Sequence, residues 1–402
     1  MKISKLLDKY ESVIDKLKLT EHQRQVLSDI KNCRTGHFGA HLYMCPNCEK
    51  THLLNNSCRN RNCPVCQGNK QRKWVEKQCS NLLNVPYYHV VFTVPEILNP
   101  LFLFRPKILY SILFSSVWKT IKKFFNDEKF FGGKGAMLSV LHTWGQTLML
   151  HPHLHCIIPG AGIDKNGNFA IIKGNDKYLF PVKALGTVFR AKFAAELTLQ
   201  AKIHHFEIPT DMRRLMFSKN WVVFCKRPFG NPQAVVAYLG RYTYKSAISQ
   251  NRILRDNDGK ISFSYKDYRN KGINKEMELP AAEFFRRYAL HILPKKFIKI
   301  RHFGMLSNSN RKTFVEKGAS IVGKFENKTI EANRQKKEND TFTPSLILCP
   351  SCKTGRLINI ATITPQLYLR GFQIINENTG EILVFHARDG PQVELPIVLV
   401  RF

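Results

Sequence analysis

Six of the eleven cysteines in this 402-residue chain fall between Cys33 and Cys66. Four of these form two CxxC knuckles, Cys45-Pro46-Asn47-Cys48 and Cys63-Pro64-Val65-Cys66, with fourteen residues between them, close to zinc-ribbon spacing. Four thiolates at tetrahedral corners satisfy Zn(II) fully and leave no position open for water. Metal binding also supplies folding free energy that so small and polar a segment does not gain from burial. The spacing predicts a structural zinc site on Cys45, Cys48, Cys63 and Cys66, with Cys33, His41 and Cys58 left to build a second site or replace one of the four. A third knuckle, Cys349-Pro350-Ser351-Cys352, has no second pair nearby. It reads as a tight turn in preference to half of a site completed by a distant part of the chain.

Charge narrows the partner. The chain carries 62 Lys and Arg against 30 Asp and Glu, a formal charge of +32, which points to a polyanion such as nucleic acid. The longest apolar stretches, such as Ile108 to Trp118, are too short to cross a bilayer. The first ten residues alternate charged and apolar side chains and read as a short amphipathic helix, not a signal peptide. A cytoplasmic location follows, and in that reducing compartment cysteines are thiols or metal ligands.

Within the run Leu150-His151-Pro152-His153-Leu154-His155-Cys156-Ile157-Ile158-Pro159, His153 to Ile158 reads as a strand. Residues two apart in a strand share a face, so His153 and His155 present two imidazoles together while Leu154 points the other way. That is half of a divalent metal site. The run Met137 to Trp144 is a second strand candidate, and antiparallel pairing across the short connection brings His142 or Gln146 up as a third ligand. A strand over Tyr87 to Val94, a helix over Leu109 to Phe125, and a hairpin turn at Asp164 to Asn168 before a strand at Phe169 to Ile172 complete an α+β pattern.

Asn231-Pro232 offers an N-cap followed by a first-turn proline, which predicts a helix from Pro232 through about Ala247. Tyr238 and Tyr242 are four apart on it and share a face, about 6 Å between β-carbons. Arg241, Lys245, Arg252 and Arg255 stand nearby as candidates to track a nucleic-acid backbone, and Arg59, Arg61, Lys70, Arg72 and Lys73 surround the second knuckle. Gly318 to Lys324 has P-loop glycine spacing, yet Phe325 replaces the Ser or Thr that a nucleotide site requires.

The HLH tripeptide, the Tyr238-Leu239-Gly240-Arg241-Tyr242 segment downstream and the Cys-rich segment upstream together resemble the two-tyrosine HUH transposases of rolling-circle insertion sequences. The resemblance takes in His142-Thr143-Trp144-Gly145-Gln146 and His302-Phe303-Gly304 and covers most of residues 30–310. It implies His153 and His155 on a catalytic Mg(II) or Mn(II), Tyr238 and Tyr242 as nucleophiles, and Cys45, Cys48, Cys63 and Cys66 on structural zinc. Asn62 stands where members often carry His before the second knuckle, which argues against a zinc bound through that position.

The implied organisation is a helical segment over 1–32, a zinc-binding ribbon over 33–82, an antiparallel-sheet HUH nuclease domain over 85–318 and an extension over 319–402. The implied activity is nicking and joining of single-stranded DNA at transposon ends through 5′-phosphotyrosine intermediates. The bacterial nucleoid is then the place of action, and the oligomeric state is left open. Two other classes stand beside it. A plasmid replication initiator or relaxase would use the same site, but the ribbon and the YLGRY string argue against both. A non-catalytic zinc-ribbon DNA-binding regulator would explain charge and cysteines while leaving His153, His155, Tyr238 and Tyr242 without a joint purpose.

Overall fold

The computed structural model describes residues 2–79, 81–172, 179–226, 240, 243, 246–324, 347–376, 382–385 and 396–400. In chain order the strands begin with β1 (Ala40–Met44), β2 (Thr51–Asn55), β3 (Tyr87–Thr93), β4 (Ala136–Trp144) and β5 (Leu150–Pro159). Next come β6 (Ala161–Ile163), β7 (Phe169–Ile171), β8 (Val223–Lys226), β9 (Ile253–Asn257), β10 (Lys260–Asp267), β11 (Ile273–Pro280) and β12 (Ile300–Gly304). The last four are β13 (Ile358–Ile363), β14 (Phe372–Asn376), β15 (Ile382–Phe385) and β16 (Ile397–Val400).

These elements form two compact units, one of residues 1–67 with 331–402, the other of 68–330. The boundaries depart from the four consecutive segments expected. Residues from 331 onward belong to the same unit as the amino end instead of forming an extension of their own, because β13 pairs with β1.

In the first unit the helices Ile3–Lys9 and Glu21–Lys31 bury Ile3, Leu6 and Leu7 and Val26, Leu27 and Ile30. The second of them starts sharply: Gln23 N–H donates to Thr20 Oγ1 at 3.2 Å while Thr20 N–H donates to Gln23 Oε1 at 2.9 Å, a reciprocal cap. Beyond it lies an antiparallel sheet in the order β13-β1-β2. Ala40 pairs with Asn55 on one side and Ile363 on the other, and Ala40, Leu42, Ile363, Phe372 and Ile374 make its small core.

The second unit is built on a five-stranded antiparallel sheet, order β12-β4-β5-β3-β8. One face carries Val90, Phe92, Leu141, Leu154, Cys156 and Ile158, buried against the helices Pro106–Asn126 and Val182–Ile203. Full burial of each such apolar side chain is worth about 1.5 to 3 kcal/mol, and Phe92, Phe114, Phe125, Phe189 and Phe193 are all fully buried here. The expected strands and the helix over 109–125 are all present, each one to three residues longer or shorter at its ends. The expected hairpin turn joins β6 to β7, with Asp164 N–H donating to Asn168 O at 2.9 Å.

A second antiparallel sheet, β11-β10-β9, packs under the helix Ala281–Leu290 through Phe263 and Phe284. Gly318 to Val322 are helical, within Arg311–Val322, so that stretch forms no phosphate-cradling loop. Among the described residues no helix is long and apolar enough to cross a membrane.

Candidate active site and metal centres

The strand register assembles the histidines. His142 on β4 lies directly opposite His153 on β5, and Val140 opposite His155. Paired residues of antiparallel strands share a face, so His142, His153 and His155 converge on the face of the sheet away from Leu154 and Cys156. One ligating nitrogen from each lies within 4.8 Å of those of the other two, and all three residues are buried. Trp144 stacks on the His142 ring at 4.5 Å with planes 20° apart. Of the two expected third ligands, His142 is the one placed with the pair. Gln146 instead accepts from Lys266 N–H through Oε1 at 3.4 Å.

The tautomers follow from hydrogen bonds. His153 Nδ1 lies 2.6 Å from His151 O. A carbonyl only accepts, so Nδ1 carries the proton and Nε2 keeps its lone pair. His153 Nε2 and His155 Nε2 are 3.2 Å apart. Two nitrogens at cis positions of an ion about 2.1 Å from each lie about 3.0 Å apart, so this pair fits one divalent ion. His155 Nδ1 in turn lies 2.9 Å from His89 Nε2 on β3. With His155 Nε2 facing an ion, its Nδ1–H donates to His89, the outer arrangement that orients metal-bound histidines.

Desolvation holds His153 down at about 4, with the neighbouring histidines also opposing its charge and only the His151 carbonyl favouring it. Burial alone brings His89 to about 4 as well. Both imidazoles are therefore neutral at neutral pH, the form that ligates metal. His291, behind the site, is lowered to about 4 by burial against a smaller opposing effect of Leu148 O, to which Nε2–H donates at 3.0 Å; its Nδ1 is 3.1 Å from Thr143 Oγ1. Neither His89 nor His291 stands out in the sequence, since a lone histidine in an apolar strand or at a helix end carries no spacing signal.

Tyr238, Tyr242, Arg241 and Lys245 lie outside the described residues. Gly240, between the tyrosines, is helical, and a Cβ there would meet Val75 Cγ2 at 2.3 Å, so the Gly240 backbone lies close against the helix Gly68–Cys79. Of the helix expected from Pro232 through about Ala247, Gly240 and Thr243 are helical among the described residues, while Ser246 to Ser249 are not. Arg252 is not displayed as a free backbone contact: its Nε donates to Ser264 O at 2.8 Å, a terminal nitrogen donates to Gln146 O, and the guanidinium lies over Phe263.

The cysteines regroup. Cys63 and Cys66 meet Cys33 and Cys58, while Cys45 and Cys48 meet Cys349 and Cys352; the two knuckles expected to share one ion lie in separate clusters. Cys33 follows the helix Glu21–Lys31, and Asn60 Nδ2 donates to Asp29 Oδ2 at 2.9 Å, which ties the 58–66 loop to that helix. Cys33 Sγ to Cys63 Sγ and Cys58 Sγ to Cys66 Sγ are each 3.7 Å. Sulfurs at tetrahedral corners about 2.3 Å from zinc stand about 3.8 Å apart, so this set fits structural zinc. His41 is not among the ligands: it faces Thr362 on β13, with Nδ1 to Oγ1 at 3.1 Å.

Comparison with known proteins establishes the family. Residues 136–313 match the family model described as "Putative transposase", and residues 5–94 match "Transposase zinc-binding domain". The protein "Putative transposase y4qJ" of Sinorhizobium fredii is 34% identical over 358 residues, 85% of this chain and 90% of its own. The "Transposase for insertion sequence element IS801" of Pseudomonas savastanoi pv. phaseolicola is 27% identical over 346 residues, 83% of this chain and 79% of its own. Among solved structures, conjugative relaxase TrwC in complex with oriT DNA, metal-free, aligns with 39% of this chain and 71% of its own at 12% identity and TM-score 0.22, a likeness too faint to bear on function. The chain therefore belongs to the transposase family of these relatives and is an enzyme that carries a transposase zinc-binding domain at its amino end.

Proposed function

We propose that this transposase nicks and joins single-stranded DNA by rolling-circle chemistry, with His142, His153 and His155 holding Mg(II) or Mn(II) and Tyr238 and Tyr242 as alternating nucleophiles. The observation that carries the reading is the convergence of three buried imidazoles, with the His153 Nδ1 proton fixed so that Nε2 is free to ligate. When bound, the ion neutralises charge on the scissile phosphate oxygens and holds that phosphate in line for attack.

The chain supplies the rest. A phenol has a pKa near 10, so only about one in a thousand is ionised at neutral pH, and attack requires the proton to leave as the oxygen approaches phosphorus. The tyrosine oxygen-to-phosphorus bond forms, the phosphorus-to-3′-oxygen bond breaks, and the departing oxygen takes up a proton. The phosphodiester is conserved as a 5′ phosphotyrosine, so no nucleotide is consumed. A second tyrosine on the same face cuts the second strand while the first remains linked, and the freed 3′ hydroxyl reverses the first linkage. A strand threaded between a helix and a sheet face must be single, which makes hairpin or melted transposon ends in the nucleoid the substrate. The formal charge of +32 suits that polyanion.

Incubation of the protein with a labelled single-stranded end and Mn(II) tests this. A covalent protein–DNA adduct is expected, lost in Tyr238→Phe/Tyr242→Phe. Absence of an adduct, or an adduct unchanged in the double variant, overturns the reading.

A further inference from the structure

We propose that Cys45, Cys48, Cys349 and Cys352 form a second four-cysteine zinc site, split across the chain, that clasps the segment around residues 347–363 to the amino-terminal ribbon. Cys349 and Cys352 lie outside both stretches that match the transposase family models, 5–94 and 136–313.

The geometry points to an ion and not to packed thiols. Cys45 Sγ to Cys352 Sγ and Cys48 Sγ to Cys349 Sγ are each 3.7 Å, the edge of a tetrahedron about 2.3 Å in radius and far beyond the roughly 2.05 Å of a disulfide. All four sulfurs lie within 4.8 Å of one another, with Cys45 and Cys349 almost wholly buried. The two knuckles repeat one backbone pattern. Glu49 N–H donates to Cys45 O at 2.7 Å as Lys353 N–H donates to Cys349 O at 2.9 Å, and Glu49 and Lys353 share the left-handed conformation at φ 56° and 61°. Cys45 N–H donates to Lys50 O, and Cys349 N–H to Gly355 O.

Donors are aimed at the sulfurs, as thiolate ligands require. Gly355 N–H donates to Cys352 Sγ at 3.2 Å, and His52 Nε2 lies 3.4 Å from Cys349 Sγ. Gly355 is also pressed against the site, since a Cβ there would stand 2.3 Å from Cys45 Sγ. The sheet sets the register: Cys45 leaves β1 at Met44, which pairs with Ile358 at the start of β13, so the strands deliver both knuckles to one end of the sheet.

Metal analysis of the full-length protein tests the proposal independently of the catalytic reading. Two zinc ions per chain are expected, falling to one in Cys349→Ser/Cys352→Ser, to one in Cys45→Ser/Cys48→Ser, and to one in Cys33→Ser/Cys58→Ser. In the Co(II)-substituted protein the thiolate charge-transfer absorbance is expected to halve in each double variant. One zinc per chain in the unaltered protein overturns the proposal even if every variant fails to fold. So does retention of two in Cys349→Ser/Cys352→Ser.

Discussion

His89 Nε2 lies 2.9 Å from His155 Nδ1, and the two rings are parallel to within 7°. His89 thus reaches the candidate metal centre from the neighbouring strand without ligating it. Removing such an outer partner costs about 10- to 100-fold in metal affinity. His89→Ala is expected to weaken Mn(II) binding by that factor, read by calorimetry, with adduct formation restored at higher Mn(II). Unchanged Mn(II) affinity would make His89 a packing residue only.

The third ligand is open to a direct comparison. His142 faces His153 across the strand pair, whereas Gln146 is engaged by Lys266. His142→Ala should cost about tenfold or more in Mn(II) affinity, while Gln146→Ala should leave it within about twofold. The reverse order would move the ligand to Gln146.

Acid should loosen the second unit through its buried histidines. His291 is held at about 4 by burial, against about 6.5 in an unfolded chain. Between those values the unfolded chain binds a proton that the folded one refuses. The stability contributed by neutral His291 is thus complete above about pH 6.5 and drains as pH falls toward 4, on the order of 3 kcal/mol in all. His291→Gln should flatten that slope in urea unfolding followed by tryptophan fluorescence. Trp74, Trp118, Trp144 and Trp221 all lie in residues 68–330, so the signal reports this unit alone.

Gly355→Ala places a methyl against Cys45 Sγ. The expected outcome is faster zinc release from one of two sites, seen as a biphasic trace with a chromogenic chelator. A trace identical to that of the unaltered protein would show that the cluster tolerates the methyl.

Arg252→Ala separates a structural role from a DNA contact. Its guanidinium bonds to the carbonyls of Ser264 and Gln146, joining β10 to the loop after β4. Loss of hydrogen bonds from a charged group costs about 1.5 to 3 kcal/mol. A lower Tm with unchanged salt dependence of DNA binding is expected; a shallower salt slope would restore Arg252 to the DNA surface.

Local patterning was enough to read the β4–β5 hairpin, because His153-Leu154-His155 alternates ligand, core, ligand and the short connection allows only one partner strand. The helix Pro106–Asn126 announces itself through Leu109, Leu113, Val117 and Ile121 at helical spacing. Cysteine pairing was not legible. Spacing within a knuckle records its own turn, and nothing in Cys45-Pro46-Asn47-Cys48 says that its partner lies some 300 residues away instead of at Cys63. His89 was hidden for a related reason: its role arises from a diagonal across β3 and β5 that only the register reveals. The tyrosine pair was legible as a motif and lies outside the described residues.

The placing of β1 between β2 and β13 has a consequence for the order of events during synthesis. At about 5 to 20 residues per second, about 15 to 60 s pass between the emergence of β1 and that of its second partner. For that interval the amino-terminal hairpin keeps one row of amide and carbonyl groups open, the kind of edge that recruits other strands. All five strands of the central sheet leave the ribosome before β13 does, so closure of the ribbon sheet waits on the pairing with the greatest sequence separation among the described strands.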